Sequence, residues 1–195
     1  MKKAAVFTVA FLMLGMCMYY SVLVFRNEVQ PKLATWIILD SGVIISFISY
    51  RLTKKHSLVD NIANTTDVVF GSGILVAILF CGGWNGLRFS SFDVWCLAAM
   101  AAILTFWIIK RNHSATNLAI QALMVLGYFP TLKNLWIAKT NPESFVTWGV
   151  MWFVCIISLY PAYKGKNRLA VVYAARGIIM VFILILLMLR VEFRS

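Results

Sequence analysis

The sequence predicts an all-helical membrane protein with seven transmembrane helices, and three observations lead there. Of its 195 residues, 62% are hydrophobic and only 13% charged, whereas a soluble domain is roughly 45–50% apolar and about 25% charged. Apolar stretches close to the ~20 residues needed to cross a bilayer recur along the chain. Runs such as residues 181–189 are apolar on every face, which excludes the alternating strands of a membrane β-barrel.

The predicted spans are separated by short polar connectors and cover residues 4–25, 33–50, 62–80, 92–109, 115–132, 144–163 and 169–189. Lys2 and Lys3 precede the first span, as they would in a signal peptide. However, the apolar run is longer than a signal-peptide core, and no small-residue cleavage site follows it. We therefore predict that this run is the first transmembrane helix.

The basic residues give a formal net charge of +11, but they stand in short blocks beside the apolar spans. That distribution is typical of anchors at membrane ends, so we predict the lipid bilayer as a partner and no nucleic acid. More basic residues fall on the side of the N-terminus, which favours a cytoplasmic N-terminus. The protein is expected to be multi-pass in a cell membrane, and its oligomeric state stays open, a homo-oligomer included.

An internal repeat is visible at an offset of 112 residues. The dipeptide Thr35-Trp36 returns as Thr147-Trp148, and residues 44–46 return as residues 156–158. The offset places the first three spans over the last three, with the fourth as a linker. Both halves then run in the same direction, as in a parallel repeat about an axis along the membrane normal. The predicted units are residues 1–90, 91–114 and 115–195.

The second half also carries a local signature. Residues 129–133 read Phe-Pro-Thr-Leu-Lys, Glu143-Ser144 follows, and residues 147–152 read Thr-Trp-Gly-Val-Met-Trp. This pattern resembles PQ-loop proteins, SWEET-type sugar transporters and a group of small bacterial membrane proteins. The resemblance implies a SWEET-like 3+1+3 bundle in a bacterial inner membrane, and an orientation opposite to the one that the charges favour. It also implies a binding site between the two triple-helix halves and a hinge at Pro130.

Three ionisable residues lie deep inside predicted spans: Asp40, Asp67 and Arg176. Such groups are expensive in a bilayer and need a partner, water or a function. Helical spacing puts Asn64 on the face of Asp67, and Tyr173 on the face of Arg176.

The third and seventh helices face each other across the site of SWEET-like proteins, so the resemblance implies that these four residues line it. We expect Asp67 to pair with Arg176 across a cavity, with Asp40 as the alternative partner. A pair that only ties two helices together is equally compatible with the pattern.

Tryptophans divide into two groups. Trp36, Trp84, Trp136 and Trp148 lie near span ends, as in an aromatic belt at the membrane boundary. Trp152 lies deeper, at the repeat position equivalent to Asp40, so an aromatic surface and a carboxylate could face one cavity. Core packing is the alternative role for Trp152.

No catalytic set is recognisable in the sequence, so we predict a protein that is not an enzyme and has no metal or cofactor. The only histidines, His56 and His113, lie in basic connectors, and the four cysteines lack metal-binding spacing. The function favoured by the resemblance is transport of a small polar solute. The alternative is a non-transporting receptor or accessory protein of the same fold that binds a lipid, peptide or protein partner.

Overall fold

The computed structural model describes residues 2–52, 57–81, 89–110 and 113–194, and the regular structure in these ranges is helical. His56 and Trp84 lie outside the described residues, as does the side chain of His113. The described ranges contain seven helices, which are α1 (Lys2–Phe25), α2 (Leu33–Leu52), α3 (Ile62–Cys81), α4 (Ser91–Lys110), α5 (His113–Ile137), α6 (Phe145–Lys164) and α7 (Arg168–Glu192). The predicted all-helical class and the seven predicted helices are confirmed.

Five of these helices are long and apolar enough to cross a membrane. Within the described ranges they are Lys2–Phe25, Leu33–Arg51, Ile62–Phe80, Phe145–Lys164 and Arg168–Glu192. On α1, large apolar side chains such as Phe7, Phe11 and Met18 are exposed, while Val9 and Met13 are buried. A helix that is apolar on both its inner and its outer face needs an apolar solvent outside. The chain is a multi-pass membrane protein.

The largest error in a predicted helix end concerns α5. The sequence suggested an end at residue 132, just after Pro130, but the helix continues to Ile137. Proline removes one backbone hydrogen bond and crowds the preceding turn, yet helices in membranes tolerate it when neighbouring elements hold the chain. The segment beyond Pro130 is held by packing, since Thr131 and Leu135 are buried.

Local hydrogen bonds explain several other helix ends. After α1, Glu28 N–H donates to the Leu23 carbonyl and Asn27 adopts a positive φ of 56°, an arrangement that satisfies the last carbonyls of a helix. At the start of α6, the Ser144 side chain accepts from Thr147 N–H at 3.3 Å. Asn167 performs the same role for α7, accepting from Ala170 N–H at 3.2 Å.

The helices pack in a consistent order. α3 lies against both α1 and α2, and α7 lies against both α5 and α6. The first three helices meet the last three where α1 packs on α6 and where α2 packs on α5, and α3 also contacts α7. α4 lies against α5 and, less extensively, against α2. Thus α3 and α7, which each pack on both other helices of their own half, also contact each other.

Glycines allow α2 and α5 to approach closely. A Cβ atom at Gly42 would lie 2.5 Å from Met124 Cγ, and one at Gly127 would lie 2.8 Å from Leu39 Cδ2 and 3.1 Å from Ile38 Cγ2. Small residues serve this purpose in membrane helices, where dispersion contacts between helices hold the bundle together.

The Gly127→Ala substitution is expected to destabilise the protein by about 1–3 kcal/mol, because the added methyl group overpacks the contact with α2. The matched control is Gly149→Ala on α6, where a Cβ meets no atom within 4 Å. That control is expected to be neutral or slightly stabilising, since alanine favours helix more than glycine. Unfolding midpoints in detergent measure both, and equal shifts for the two variants would contradict this interpretation.

Candidate functional site

A small cavity lies at the centre of the bundle, between α2, α3, α5, α6 and α7. Its volume is about 30 Å³, which is room for about two water molecules. Its walls combine ionisable and aromatic side chains, and the lining residues are Trp36, Leu39, Asp40, Val43, Asp67, Phe70, Gly71, Tyr128, Trp148, Met151, Tyr173 and Arg176. Asp40, Asp67, Tyr173 and Arg176, which the sequence singled out, therefore do meet in one place.

Asp40 is held against α3. Its two carboxylate oxygens accept from the Ser72 hydroxyl at 3.1 and 3.2 Å, and the side chain is buried. Gly71 makes this approach possible, because a Cβ at that position would lie 2.7 Å from Asp40 Oδ1. The carboxylate thus reaches the central cavity while it accepts from the neutral Ser72 hydroxyl.

Tyr173 connects the other two ionisable groups. Its hydroxyl donates to Asp67 Oδ2 at 2.5 Å, and the Arg176 guanidinium lies over its ring, 4.7 Å from the centroid. Among the described residues, ion pairs join Lys2 to Asp60 and Arg26 to Glu28. The direct ion pair expected between Asp67 and Arg176, or between Asp40 and Arg176, is therefore not formed.

Arg176 has incomplete hydrogen bonding. Its Nε and Nη1 atoms are buried and have no partner in the described part of the chain. Asp67 acts on it electrostatically, and the Tyr173 ring contributes a cation–π contact. Buried donors without acceptors are costly, so these two nitrogens have unused hydrogen-bonding capacity.

The remaining residues singled out from the sequence lie elsewhere. Asn64 is fully buried and donates from Nδ2 to Ser46 Oγ at 2.8 Å, joining α3 to α2 outside the cavity lining. Trp152 is also absent from the lining, and its ring stacks on Phe182 of α7 with centroids 5.9 Å apart. Pro130 lies buried within α5.

Another buried carboxylate lies behind the cavity wall, in the connector before α6. Glu143 is only 6% exposed, and its Oε2 accepts from Tyr20 Oη at 2.8 Å and from Trp148 Nε1 at 3.0 Å. Burial raises the pKa of Glu143 to about 7, against the lowering effect of these two hydrogen bonds.

Aromatic rings separate Glu143 from the cavity. Trp36 lies 5.6 Å from Tyr20 and 6.2 Å from Trp148, measured between ring centroids, and Tyr128 lies 6.2 Å from Trp148. Trp36 and Trp148 are 3% and 2% exposed, so their predicted place in a boundary belt is wrong. Trp136 does match that prediction, since it is 61% exposed beneath the Arg190 guanidinium.

Sequence reasoning named Glu143 only as part of a signature and gave it no role. The residue stands one position before a predicted span, where a carboxylate is normally expected to face the lipid headgroups. The signal that could have found Glu143 was the nearby Thr147-Trp148 dipeptide, which is repeated at Thr35-Trp36. A tryptophan that becomes buried needs an acceptor for its indole N–H, and Glu143 provides it for Trp148.

The opposite end of the bundle is joined by other contacts. Asn167 Nδ2 donates to Tyr50 Oη at 2.7 Å, and Tyr50 Oη donates to the Ser57 carbonyl at 2.7 Å. Lys2 forms an ion pair with Asp60. The two hydrogen bonds tie the end of α2 and the connector before α3 to the beginning of α7, and the ion pair ties the same connector to α1.

Comparisons with known proteins give no relative. No protein-family model matches the chain, and no curated protein or solved structure matches it significantly. In the described ranges, no group of three or more histidine, cysteine or acidic side chains is arranged to hold a metal ion. The functional interpretation therefore depends on the geometry of the cavity.

Tyr173→Phe is expected to destabilise the protein by about 1–3 kcal/mol, since it leaves the partly buried Asp67 carboxylate without this donor. Tyr163→Phe on α6 is the matched control, because Tyr163 is 77% exposed and its change is expected to stay within about 0.5 kcal/mol. Thermal unfolding in detergent measures both. If Tyr173→Phe lowered the stability no more than Tyr163→Phe does, the Tyr173 hydroxyl would not contribute to stability.

Proposed function

We propose that the protein is a carrier that moves a small polar solute through the central cavity. The proposed architecture is the 3+1+3 arrangement, with α1 to α3 and α5 to α7 as the two triple-helix halves and α4 as the linker. The packing order supports it. If α1 is equivalent to α5 and α2 to α6, the interface between α1 and α6 should have a counterpart between α5 and α2, and both interfaces are present. The same equivalence keeps α3 and α7 in contact at the centre.

The observation that carries this proposal is the state of Arg176. Arg176 is a half-buried arginine beside a cavity, and two of its nitrogens are buried without an acceptor among the described residues, which favours a polar guest over a purely structural role. In a structural ion pair the guanidinium would be satisfied by a carboxylate in direct contact. Asp40 supplies an acceptor on α2, and Tyr173 holds Asp67 and Arg176 in fixed positions.

Transport requires this closed conformation to open. A cavity of about 30 Å³ admits water but no organic solute, because ligand pockets are usually about 300–1,000 Å³. Contacts at both ends of the bundle would have to separate in turn, those around Glu143 at one end and those around Tyr50 at the other. Pro130 is proposed as a hinge, since it lacks the N–H that would stiffen α5.

Counterflow in proteoliposomes tests transport directly. Vesicles are preloaded with glucose, alanine, propionate or choline, which represent neutral, zwitterionic, anionic and cationic solutes, and entry of the same labelled solute is followed. Protein-dependent exchange is expected for at least one of them. Arg176→Gln is expected to lower that exchange about tenfold or more, since a charge-assisted hydrogen bond contributes about 1.5–3 kcal/mol.

Arg190→Gln is the matched control, because it makes the same chemical change on the same helix at a position that contacts Trp136 instead of the cavity. It is expected to leave exchange unchanged. Normal folding of Arg176→Gln with undiminished exchange would overturn the assignment of Arg176.

A second candidate function is supported by one observation. A crevice of about 210 Å³ lies between α1 and α3, beside exposed side chains such as Leu14 and Val69, and its lining is apolar enough for an acyl chain. We propose as the alternative a receptor or accessory protein of this fold that binds a lipid and transports nothing. A labelled lipid that binds stoichiometrically, together with no counterflow of any solute, would favour this function.

A further inference from the structure

Glu143 is a buried carboxylate with no cationic partner among the residues that the structure describes. Its two donors, the Tyr20 hydroxyl and the Trp148 indole N–H, are neutral and both reach the same oxygen, Oε2. The ion pairs within the described ranges do not involve Glu143. A carboxylate kept from water in this way is far less costly as the neutral acid than as the anion.

The position of Glu143 links it to the cavity and to both halves of the bundle. Trp148, on α6, lines the cavity and also donates to Glu143, while Tyr20 belongs to α1. A backbone hydrogen bond of 2.9 Å from Gln30 N–H to the Pro142 carbonyl joins the two neighbouring connectors. Separating α1 from α6 here would admit water to Glu143 and expose the indole that covers the cavity.

The groups that contact the Glu143 side chain are neutral. Tyr20 faces it from α1, Trp36 packs on Tyr20 from α2, and Trp148 faces it from α6. Asn141 in the same connector accepts from the Glu143 backbone N–H at 3.1 Å. In the other connector, Arg26 and Glu28 are exposed and form an ion pair with each other.

We propose that Glu143 binds the proton that controls access to the cavity from this end, an inference that rests on the proposed carrier function. With a proton bound, Glu143 keeps its bonds to Tyr20 and Trp148, and the end is closed. Loss of the proton leaves an anion that must be hydrated, so the contact between α1 and α6 separates and the end opens.

The sign follows from linkage. In the closed state the pKa of Glu143 is raised from the ordinary 4.5 to about 7, whereas a hydrated carboxyl in the open state has the ordinary value. The closed state therefore binds the proton more tightly, and lowering the pH favours it. Between pH 4.5 and about 7 the ratio of open to closed protein rises with pH by at most about tenfold per pH unit, and above about 7 it is constant.

Chemical labelling of the cavity tests the gate without any solute. Met151 lines the cavity, so Met151→Cys provides a thiol there, and the chain without it gives the background from the natural cysteines. Labelling by N-ethylmaleimide is timed between pH 5 and 8 in purified protein, with Glu143 intact and with Glu143→Gln. The rate with Glu143 intact is divided by the rate with Glu143→Gln. This ratio cancels the pH dependence that comes from ionisation of the thiol, because the same thiol is present in both proteins.

This ratio is expected to rise by at least about tenfold between pH 5 and 7 and then to level off. Glu28→Gln is the matched control at the same end, where the carboxyl is half-exposed, and it is expected to preserve the pH dependence of the parent chain. A ratio that does not change with pH would overturn the proposal. The labelling uses no substrate, so a protein that gates normally but exchanges no solute would refute the carrier function alone.

Tyr20→Phe keeps the proposal testable if Glu143→Gln fails to fold. The Tyr20 hydrogen bond lowers the pKa of Glu143, so its removal is expected to move the levelling-off point to higher pH, whereas Tyr19→Phe, at an exposed position, leaves it in place. A levelling-off point that stays where it is, or moves to lower pH, would overturn the assignment of Glu143 as the proton site.

Discussion

Charge buried inside an apolar helix bundle is the constraint on which the central part of this structure depends. Neither lipid nor packed side chains solvate an ion, so each buried ionisable group must obtain its partners from neighbouring helices. Asp40 obtains its partner from Ser72 on α3, and Asp67 from Tyr173 on α7. The helices that surround the cavity are thus held in register by polar contacts as well as by apolar packing.

The partners are largely neutral donors, and this has consequences. A direct pair between Asp67 and Arg176 would satisfy both charges and close the centre of the protein. Tyr173 instead takes the hydrogen bond to Asp67 and offers Arg176 only the face of its ring. Two nitrogens of the guanidinium, Nε and Nη1, therefore have no acceptor among the described residues.

The cavity and the ends of the bundle are linked through a few aromatic side chains. Trp36 and Trp148 line the cavity and also belong to the cluster that covers Glu143. A change in the protonation of Glu143 would thus act on the cavity wall through one hydrogen bond, the one that Trp148 donates to Glu143. At the interface of α2 and α5, Gly42 and Gly127 allow a close contact between the two helices.

Much of the central site was accessible from the sequence. Isolated charges in long apolar spans are rare enough to single out Asp40, Asp67 and Arg176, and helical spacing added Tyr173. All four line one cavity. Trp152 was placed there through its repeat equivalence to Asp40, but its ring stacks on Phe182, because a repeat offset does not determine how far a helix is rotated about its axis.

The sequence by itself determined the number of helices and their approximate limits, since hydropathy and length decide which segments leave water for lipid. Only the tertiary structure decided which side chains share a hydrogen bond. Glu143 stands in a polar connector and Tyr20 is distant along the chain, so their contact exists only after α1 packs on α6. Partners of a buried group are chosen by the packing of helices, and that packing depends on contacts between residues far apart in the sequence.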